Sequence, residues 1–378
     1  MQQRYDYIIT GTGCAGLSLA MHMIASGNFA DKKILLVDAA QKATNDRTWC
    51  FWEKEPGLFE PIVHKQWEHL WFYGEEFYKE MPILPYRYKM IRGVDFYHYC
   101  FETIKQQPNI QLLQANVERV FSEGETGVVA GGETFYADYV FNSILFEKPT
   151  LDKNQYWLLQ HFKGWTITTP ESTFDHHVAT LMDFRISQEH GTAFCYVLPV
   201  NDKEALIEYT LFTKDLLPDS AYDAGLKSYI ENIIHLSAYE VKETEFGIIP
   251  MTNYKFERRK NNIVNIGTAG GQTKGSSGYT FYFIQQHSKA LVDSLAKTGK
   301  PFVANPSWRF PFYDSVLLNI LHHDTLPGKQ IFSTLFQKNK ATDVLTFLNN
   351  ESSLAQELKI ISSLPTLPFL KAAINQQL

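Results

Sequence analysis

Glu208 is a carboxyl side chain set in an otherwise apolar segment, and such a group can act as a proton donor. If the segment is a strand, alternation places Leu206, Glu208, Thr210 and Phe212 on one face. Burial among apolar neighbours raises the pKa of a carboxyl, so that it can stay protonated near neutral pH. The opposite face is equally apolar. The pattern alone therefore leaves open whether Glu208 points into a cavity or towards solvent.

Three glycines near the N-terminus, Gly11, Gly13 and Gly16, have the GxGxxG spacing of a dinucleotide-binding turn. The first makes the tight turn, the second lets the backbone approach a pyrophosphate, and the third brings the helix close to the strand. An apolar segment precedes them, a helix is predicted after them, and Asp38 ends the next apolar segment. An acid there accepts hydrogen bonds from ribose hydroxyls. These residues predict a βαβ unit that holds the ADP part of a dinucleotide.

A second glycine-rich segment, with Gly267, Thr268 and Gly270, follows a short apolar strand late in the chain. A simple NAD dehydrogenase would continue to alternate strands and helices after its first βαβ unit. This chain instead runs into an aromatic segment, 41–92, predicted to be irregular, and then into a strand-rich middle third. This layout resembles that of two-domain flavoproteins, in which a late strand, loop and helix close over the flavin, so we expect FAD rather than NAD.

The predicted elements divide the chain into three parts. Residues 1–150 and 240–300 are predicted to form a discontinuous, Rossmann-like FAD-binding domain. Residues 151–239 hold successive strands separated by short turns, which indicates a mostly antiparallel sheet. Residues 301–378 are predicted to be helical. The expected fold class is therefore α/β: a two-domain flavoprotein with a β-sheet substrate domain and a helical C-terminal region.

Other polar residues give weaker signals. Asp183 and Arg185 lie two positions apart and share one face of a predicted strand, where a salt bridge is their commoner role. Arg47 is either a surface residue or a contact to the flavin or its phosphates. The twelve histidines and four cysteines show no spacing typical of metal ligands, so no metal is expected.

Composition excludes several classes of protein. The formal net charge is −6 and no basic run stands out, so nucleic acid is not an expected partner. The cysteines are dispersed, which fits a reducing cytosol. We recognise no signal peptide and no apolar stretch long enough to span a membrane as a helix. A cytoplasmic protein is expected, and contact with a membrane surface stays open.

Several segments, in order along the chain, resemble motifs of the flavin-dependent lycopene cyclases of carotenoid biosynthesis. Besides the N-terminal glycines they are 47–52 (RTWCFW), 160–167 (with Gly164 and Trp165), 182–185 (MDFR), 205–210 (ALIEYT), 247–251 (GIIPM), 267–270 (GTAG), 277–279 (SGY) and 312–314 (FYD). The departures are modest. Tyr209 stands where many members carry a second acid, which puts a paired-carboxylate role at that position in doubt.

The resemblance implies cyclisation of the ends of linear lycopene to β-ionone rings, giving γ- and β-carotene with no net redox change. It implies Glu208 as the acid, Asp183 and Arg185 as further catalytic residues, FAD acting in its reduced form, and NAD(P)H as the reductant. The cofactor-binding residues that it implies are Gly11, Gly13, Gly16, Asp38, Arg47, Gly267, Thr268 and Gly270.

A hydrocarbon substrate of this kind resides in the bilayer, so the resemblance also implies peripheral contact with a membrane. Apolar segments of the tail that can lie in the interface are 312–321, 331–336 and 364–370. Aromatic residues that can line a substrate tunnel are Trp49, Phe51, Trp52, Trp165 and Tyr279. Ordinary core packing is the alternative for both sets.

Two other functions stay open at this point. One is a flavin monooxygenase or related oxidoreductase on a lipophilic substrate, since one fold supports many activities. Thr268 stands where monooxygenases of this layout usually carry an aspartate, which argues against it. The other is a non-catalytic flavin- or lipid-binding protein, but a hydrocarbon binder has no need of a carboxyl such as Glu208 in an apolar wall.

Overall fold

A computed structural model describes residues 3–74, 76–304 and 307–377. Its strands are β1 (Gln3–Thr10), β2 (Ile34–Asp38), β3 (Thr48–Glu53), β4 (Lys65–Trp67), β5 (His69–Tyr73), β6 (Tyr78–Pro82), β7 (Arg87–Arg92), β8 (Ile110–Gln114), β9 (Val117–Phe121), β10 (Gly127–Ala130), β11 (Glu133–Asn142), β12 (Trp157–Thr168), β13 (Val178–Asp183), β14 (Thr192–Pro199), β15 (Glu204–Thr213), β16 (Glu240–Thr252), β17 (Arg259–Lys260) and β18 (Ile263–Asn265). Its α-helices are α1 (Cys14–Ser26), α2 (Gly93–Lys105), α3 (Asp219–Ser228), α4 (Phe281–Thr298), α5 (Arg309–His322), α6 (Gly328–Lys338), α7 (Ala341–Leu348), α8 (Leu354–Ser363) and α9 (Thr366–Gln377).

The first sheet contains the predicted βαβ unit. Its main path runs β17-β18-β11-β1-β2-β8, and β9 and β10 extend it from β11. β1 lies between β11 and β2 and pairs with both in parallel. Helices α1, α2 and α4 pack against one face, where they bury apolar residues of β1 and β2. The strand–glycine turn–helix–strand prediction is confirmed.

The second sheet has the order β16-β12-β15-β14-β13-β5-β6. All its pairings are antiparallel except the one between β13 and β5. One face packs against the C-terminal helices α5 to α9, and the other against α3 and the π-turn that follows it. Because both faces are covered, the central strands are apolar on both sides. The predicted α/β fold class with a β-sheet lobe and a helical C-terminal region is confirmed.

The predicted domain boundaries stay a prediction, but the sheets do not follow them strictly. Strands β5 and β6, from the first predicted segment, and β16, from the second, belong to the seven-stranded sheet. The expectation that 41–92 is irregular is wrong. This stretch holds β3 to β7, and β3, β7 and β4 form a small sheet of their own. The strands are short and interrupted by turns, so no long alternation marked them in the sequence.

The tail segments proposed for the membrane interface differ in exposure. Most apolar residues of 312–321 and 331–336 are buried in α5 and α6, which is the core packing that the sequence left open as the alternative. In 364–370, Leu367 and Leu370 are exposed. Within the described ranges, no helix combines the length and apolar character needed to cross a membrane.

A buried ion pair ties the loop between β18 and α4 to the C-terminal helices. Lys274 Nζ lies 2.8 Å from Asp314 Oδ1 on α5 and 2.8 Å from the side-chain oxygen of Asn350. Ser276 Oγ donates to the same Asp314 oxygen at 2.6 Å. Lys274 is 2% exposed. An ammonium buried this far is tolerated only while its partner remains, so Asp314 fixes the loop.

Replacing Asp314 by alanine is expected to destabilise the fold by about 3–5 kcal/mol, because it leaves Lys274 buried and uncompensated. Chemical unfolding followed by circular dichroism measures the change. Asp293→Ala, which breaks the exposed pair with Lys289 in α4, is the control and should change stability little. Equal losses in the two variants would contradict the role given to Asp314.

Candidate active site

A cavity of about 380 Å³ lies where the two sheets approach each other. Its walls come from the glycine turn and start of α1, from β3, from one face of the second sheet, and from the loop before α4. The lining includes Gly13, Cys14, Arg47, Thr48, Trp49, Cys50, Tyr88, Gln160, Phe162, Tyr196, Glu208, Gly247, Ile249, Gly267, Thr268, Tyr279 and Phe281. The cavity thus joins the predicted dinucleotide turn to the predicted acid.

The N-terminus of α1 is open towards the cavity. Gly13 is its N-cap and makes no side-chain cap, so the free N–H groups and positive dipole end of the helix are available to an anion. A Cβ on Gly13 would meet no atom within 4 Å, whereas one on Gly16 would lie 1.9 Å from the carbonyl oxygen of Gly11. Gly13 therefore leaves room for a ligand, and Gly16 permits the close turn.

Asp38 lies at the end of β2, beside the glycine turn. Its Oδ2 accepts a hydrogen bond from the Thr12 backbone N–H at 2.6 Å, and its Oδ1 accepts one from the Ala40 N–H at 2.8 Å. The Thr12 hydroxyl also donates to Oδ2, at 3.1 Å. Since a carboxylate has about four acceptor positions, Oδ1 still has one for a ribose hydroxyl. With the open helix end, this arrangement fits the ADP part of FAD.

The late glycine loop reaches the same place. Gly267 and Thr268 line the cavity, and Gly270 lies behind them, where a Cβ would come 2.2 Å from the Asn265 carbonyl oxygen. A Cβ on Gly267 would lie 2.7 Å from Cβ of Ala15 in α1. The loop therefore packs directly on the start of α1.

Arg47 also lines the cavity, just before β3. Its guanidinium makes two hydrogen bonds, at 2.9 and 3.1 Å, to Asp46, which also accepts from Tyr97. About half of the Arg47 side chain is exposed. Arg47 is thus held in place with donors to spare for a phosphate or flavin contact.

Glu208 lies on the cavity face of β15. Leu206, Thr210 and Phe212 share this face, and Tyr196 of β14 is its direct partner in the sheet. Only 8% of Glu208 is exposed. The predicted set of residues on one face is confirmed, and the structure settles the choice that the sequence left open.

A second carboxyl, Glu245 of β16, meets Glu208 over a glycine. Strand β12 runs between β15 and β16, and its Gly164 pairs with Glu208 on one side and with Glu245 on the other. A Cβ on Gly164 would lie 2.9 Å from Cγ of Glu245 and 3.2 Å from Cγ of Glu208. The missing side chain at Gly164 is therefore the space in which the two acids meet. We call Glu208 and Glu245 the carboxyl pair.

The surroundings of the carboxyl pair disfavour the ionised form of both groups. Burial raises the pKa of Glu208 well above its usual range, and the charge and hydrogen bond of Glu245 raise it further. Burial also raises the pKa of Glu245, whereas hydrogen bonds from Glu208 and Thr48 lower it. Thr48 Oγ1 donates to Oε2 of Glu245 at 2.7 Å. These directions fit a protonated Glu208 whose O–H points to Glu245.

Aromatic side chains supply much of the remaining wall. Of the five predicted tunnel residues, Trp49 and Tyr279 line the cavity. Phe51, Trp52 and Trp165 lie outside the lining, in core contacts. Tyr88 and Tyr196 also line it, and the Tyr196 and Tyr279 hydroxyls are 3.5 Å apart. An aromatic ring whose face is turned to a cavity can stabilise a cation there.

The structure places Asp183 and Arg185 away from the cavity. Asp183 is fully buried and pairs with Cys195, on the sheet face opposite to Glu208. Its oxygens accept from the Arg185 guanidinium, at 2.6 Å in the shortest contact, and from the Tyr229 hydroxyl at 2.8 Å. This is the salt bridge that their spacing favours. Residues 3–74, 76–304 and 307–377 contain no cluster suited to a metal ion.

Sequence reasoning missed Glu245, Tyr88 and Tyr196. Glu245 lies two residues before Gly247 in the GIIPM segment, but a carboxyl in an edge strand gives no signal of its own. Its partner, Gly164, belongs to a distant strand, so only the register of β12 against β16 brings the acids together. A glycine in the middle of a long apolar strand was the available signal, since it often marks a close approach of other groups.

Solved structures with this fold come from several kinds of protein. A geranylgeranyl bacteriochlorophyll reductase-like protein of Thermoplasma acidophilum matches 99% of this chain and 100% of its own, with a TM-score of 0.66 and 12% identity. The flavin-dependent brominase Bmp2 matches 94% of this chain and 97% of its own, with a TM-score of 0.66 and 11% identity. A flavoprotein/dehydrogenase of Cytophaga hutchinsonii has a TM-score of 0.65, 11% identity and 99% coverage of both chains. At identities of 11–12% these likenesses show a shared fold.

Two curated relatives are lycopene beta-cyclases. The one from Pantoea ananas is 26% identical over 224 residues, which are 56% of this chain and 53% of the relative. The one from Pseudescherichia vulneris is 25% identical over 262 residues, 65% of this chain and 62% of the relative. The match therefore spans between half and two thirds of their lengths. The family model described as lycopene cyclase protein matches residues 6–374, nearly the whole sequence, and the chain therefore belongs to the lycopene cyclase family.

Proposed function

We propose that this protein is a lycopene beta-cyclase that converts the ends of linear lycopene to β-ionone rings by acid–base chemistry. The observation that carries the proposal is Glu208, a buried carboxyl with a raised pKa in a cavity that also reaches the dinucleotide turn. A polyene has no polar handle, so the reaction must begin with a proton placed on a carbon. Family membership supports the choice of substrate.

Glu208 donates its proton to the terminal double bond in this proposal. A C–H bond forms, and the positive charge is left on a tertiary carbon. A neighbouring alkene then closes the six-membered ring, and loss of a ring proton restores the double bond. The faces of Trp49, Tyr196 and Tyr279 surround the charge and exclude water, which would otherwise trap the cation as an alcohol.

FAD is the proposed cofactor, held by Gly13 and the α1 N-terminus, Asp38, Arg47, Gly267 and Thr268. In its reduced form, maintained by NAD(P)H, it would supply negative charge beside the developing cation. Gly11, Gly16 and Gly270 shape the two loops rather than touch the ligand. Asp183 and Arg185 would act on the reaction only through the sheet, by fixing β13 and its neighbours.

Contact with a membrane is proposed for the exposed side of α9. Leu367, Leu370 and Ile374 are 79%, 56% and 51% exposed and have the i, i+3, i+7 spacing of one helix face. On α8, Leu354 and Leu358 are exposed one turn apart. Because the substrate dissolves in lipid, an exposed apolar stripe on the tail suits a lipid surface as its occupant.

The direct experiment gives purified, FAD-loaded protein lycopene in phospholipid vesicles, without oxygen and with NAD(P)H. We expect γ- and β-carotene, identified by chromatography and absorption, without consumption of NAD(P)H in proportion to the product. Unchanged lycopene with well-folded, FAD-loaded protein would count against the proposal. Full turnover with oxidised FAD would remove the reduced flavin from it, and oxygen-dependent hydroxylation would favour a monooxygenase.

Glu208→Gln is expected to lower the rate of cyclisation by on the order of 10²-fold or more, because the amide cannot donate a proton to carbon. FAD content, read from the visible spectrum, should not change. Glu204→Gln, on the same strand and face but only half-buried, is the matched control and should keep most of its activity. Undiminished cyclisation by Glu208→Gln would exclude Glu208 as the acid.

Replacing Leu367, Leu370 and Ile374 together by serine is expected to weaken sedimentation with phospholipid vesicles. The rate on lycopene embedded in vesicles should fall with it, while detergent-dispersed lycopene should react at the rate of the original protein. Leu112→Ser, at an exposed apolar position on β8, is the control. Vesicle binding equal to that of the original protein would place the membrane surface elsewhere.

A further inference from the structure

The proposed reaction needs one proton donor, Glu208, yet the structure buries a second carboxyl group beside it. Glu208 and Glu245 are each 8% exposed, and Gly164 holds them together from between. Two ionised carboxylates held side by side repel each other, and neither can donate a hydrogen bond to the other. Their contact is favourable when one of them carries a proton.

The hydrogen bonds around Glu245 indicate where that proton lies. Thr48 occupies Oε2 of Glu245, and Oε1 is buried without any other hydrogen-bonding partner in the described chain. Oε1 is therefore the Glu245 oxygen left to accept a hydrogen bond from a protonated Glu208. Arg47 lies close enough to favour negative charge on Glu245, whereas Glu243, exposed two residues earlier on β16, opposes it. Among the residues that the structure describes, no cation contributes to the pKa shift of Glu208, which burial and Glu245 both raise.

We propose that Glu245 is a positioning residue that holds the acidic proton on Glu208, the two carboxyls sharing one proton across Gly164. This inference rests on the proposed cyclisation, in which Glu208 touches the substrate and Glu245 does not line the cavity. The pair carries one negative charge before the reaction. That charge opposes loss of the Glu208 proton to water and faces the cation once the proton has moved to carbon.

Shared protonation predicts a particular change in the pH–rate profile. Cyclisation should fall as pH rises through the raised pKa of Glu208, since only the protonated acid reacts. Glu245→Gln removes the like charge and donates an N–H to Glu208, and both effects favour the ionised form. The alkaline limb should therefore move to lower pH by about one unit or more, while activity on the acid side is kept.

Three variants separate this role from a structural one. Glu240→Gln, which neutralises an exposed carboxyl at the start of the same strand, is the matched control and should leave the limb in place. Glu245→Asp keeps the charge but shortens the reach, and should shift the limb in the same direction as Glu245→Gln. Glu208→Gln should be inactive at every pH. A profile of folded Glu245→Gln that superimposes on that of the original protein would overturn the proposal, as would inactivity at every pH.

Infrared titration tests the pair without relying on cyclisation. The protein should show the carbonyl stretch of a buried protonated carboxylic acid near neutral pH. Glu208→Gln should lose it, and in Glu245→Gln it should disappear at lower pH. If lycopene proves not to be the substrate, these bands still decide whether the proton is shared. A band that titrates identically with and without Glu245 would overturn the inference whatever the substrate.

Discussion

The meeting of two carboxyl groups over Gly164 is the constraint on which the site depends. Placing Glu208 and Glu245 side by side, away from water, is costly unless they share a proton and have room to do so. The room comes from the missing side chain of Gly164, and the alignment comes from the register of β12 with both of its neighbours. The interior of the second sheet thus holds two adjacent buried carboxyl groups, with apolar residues of the same strands around them.

The cavity lies between two sheets that contribute different chemical groups to its walls. The first sheet presents an open helix end and Asp38, which suit the polar half of a dinucleotide. The second presents the carboxyl pair among aromatic rings. In the proposed function neither sheet could serve alone, because the polyene would need the acid and the cofactor would need the anion site. Gly267, packed on Ala15, and Tyr279, next to Tyr196, place the late loop against both.

Much of the first sheet could be predicted because its signals are local. The glycine spacing, the strand before it and Asp38 after it lie within one short segment, and the physics of that turn admits few alternatives. The orientation of Glu208 could not be derived from alternation, since both faces of β15 are buried by different layers. Glu245 could not be predicted for a different reason. It matters because it pairs with Gly164, which is far from it in the sequence. The two-residue spacing of Asp183 and Arg185 favoured a salt bridge, and the structure contains that salt bridge.

The C-terminal helices connect the proposed lipid-facing stripe with the cavity. Helix α9 packs on α5, and Gln376 of α9 and Asn319 of α5 both donate to the Tyr156 hydroxyl, at 3.0 and 2.7 Å. Asp314, also on α5, binds Lys274 in the loop that includes Tyr279. Helix α5 therefore contacts both α9 and the loop that carries Tyr279 into the cavity wall. In the proposed cyclisation this wall must keep water from a carbocation, so the contacts that hold the loop on α5 also bear on how dry the acid remains.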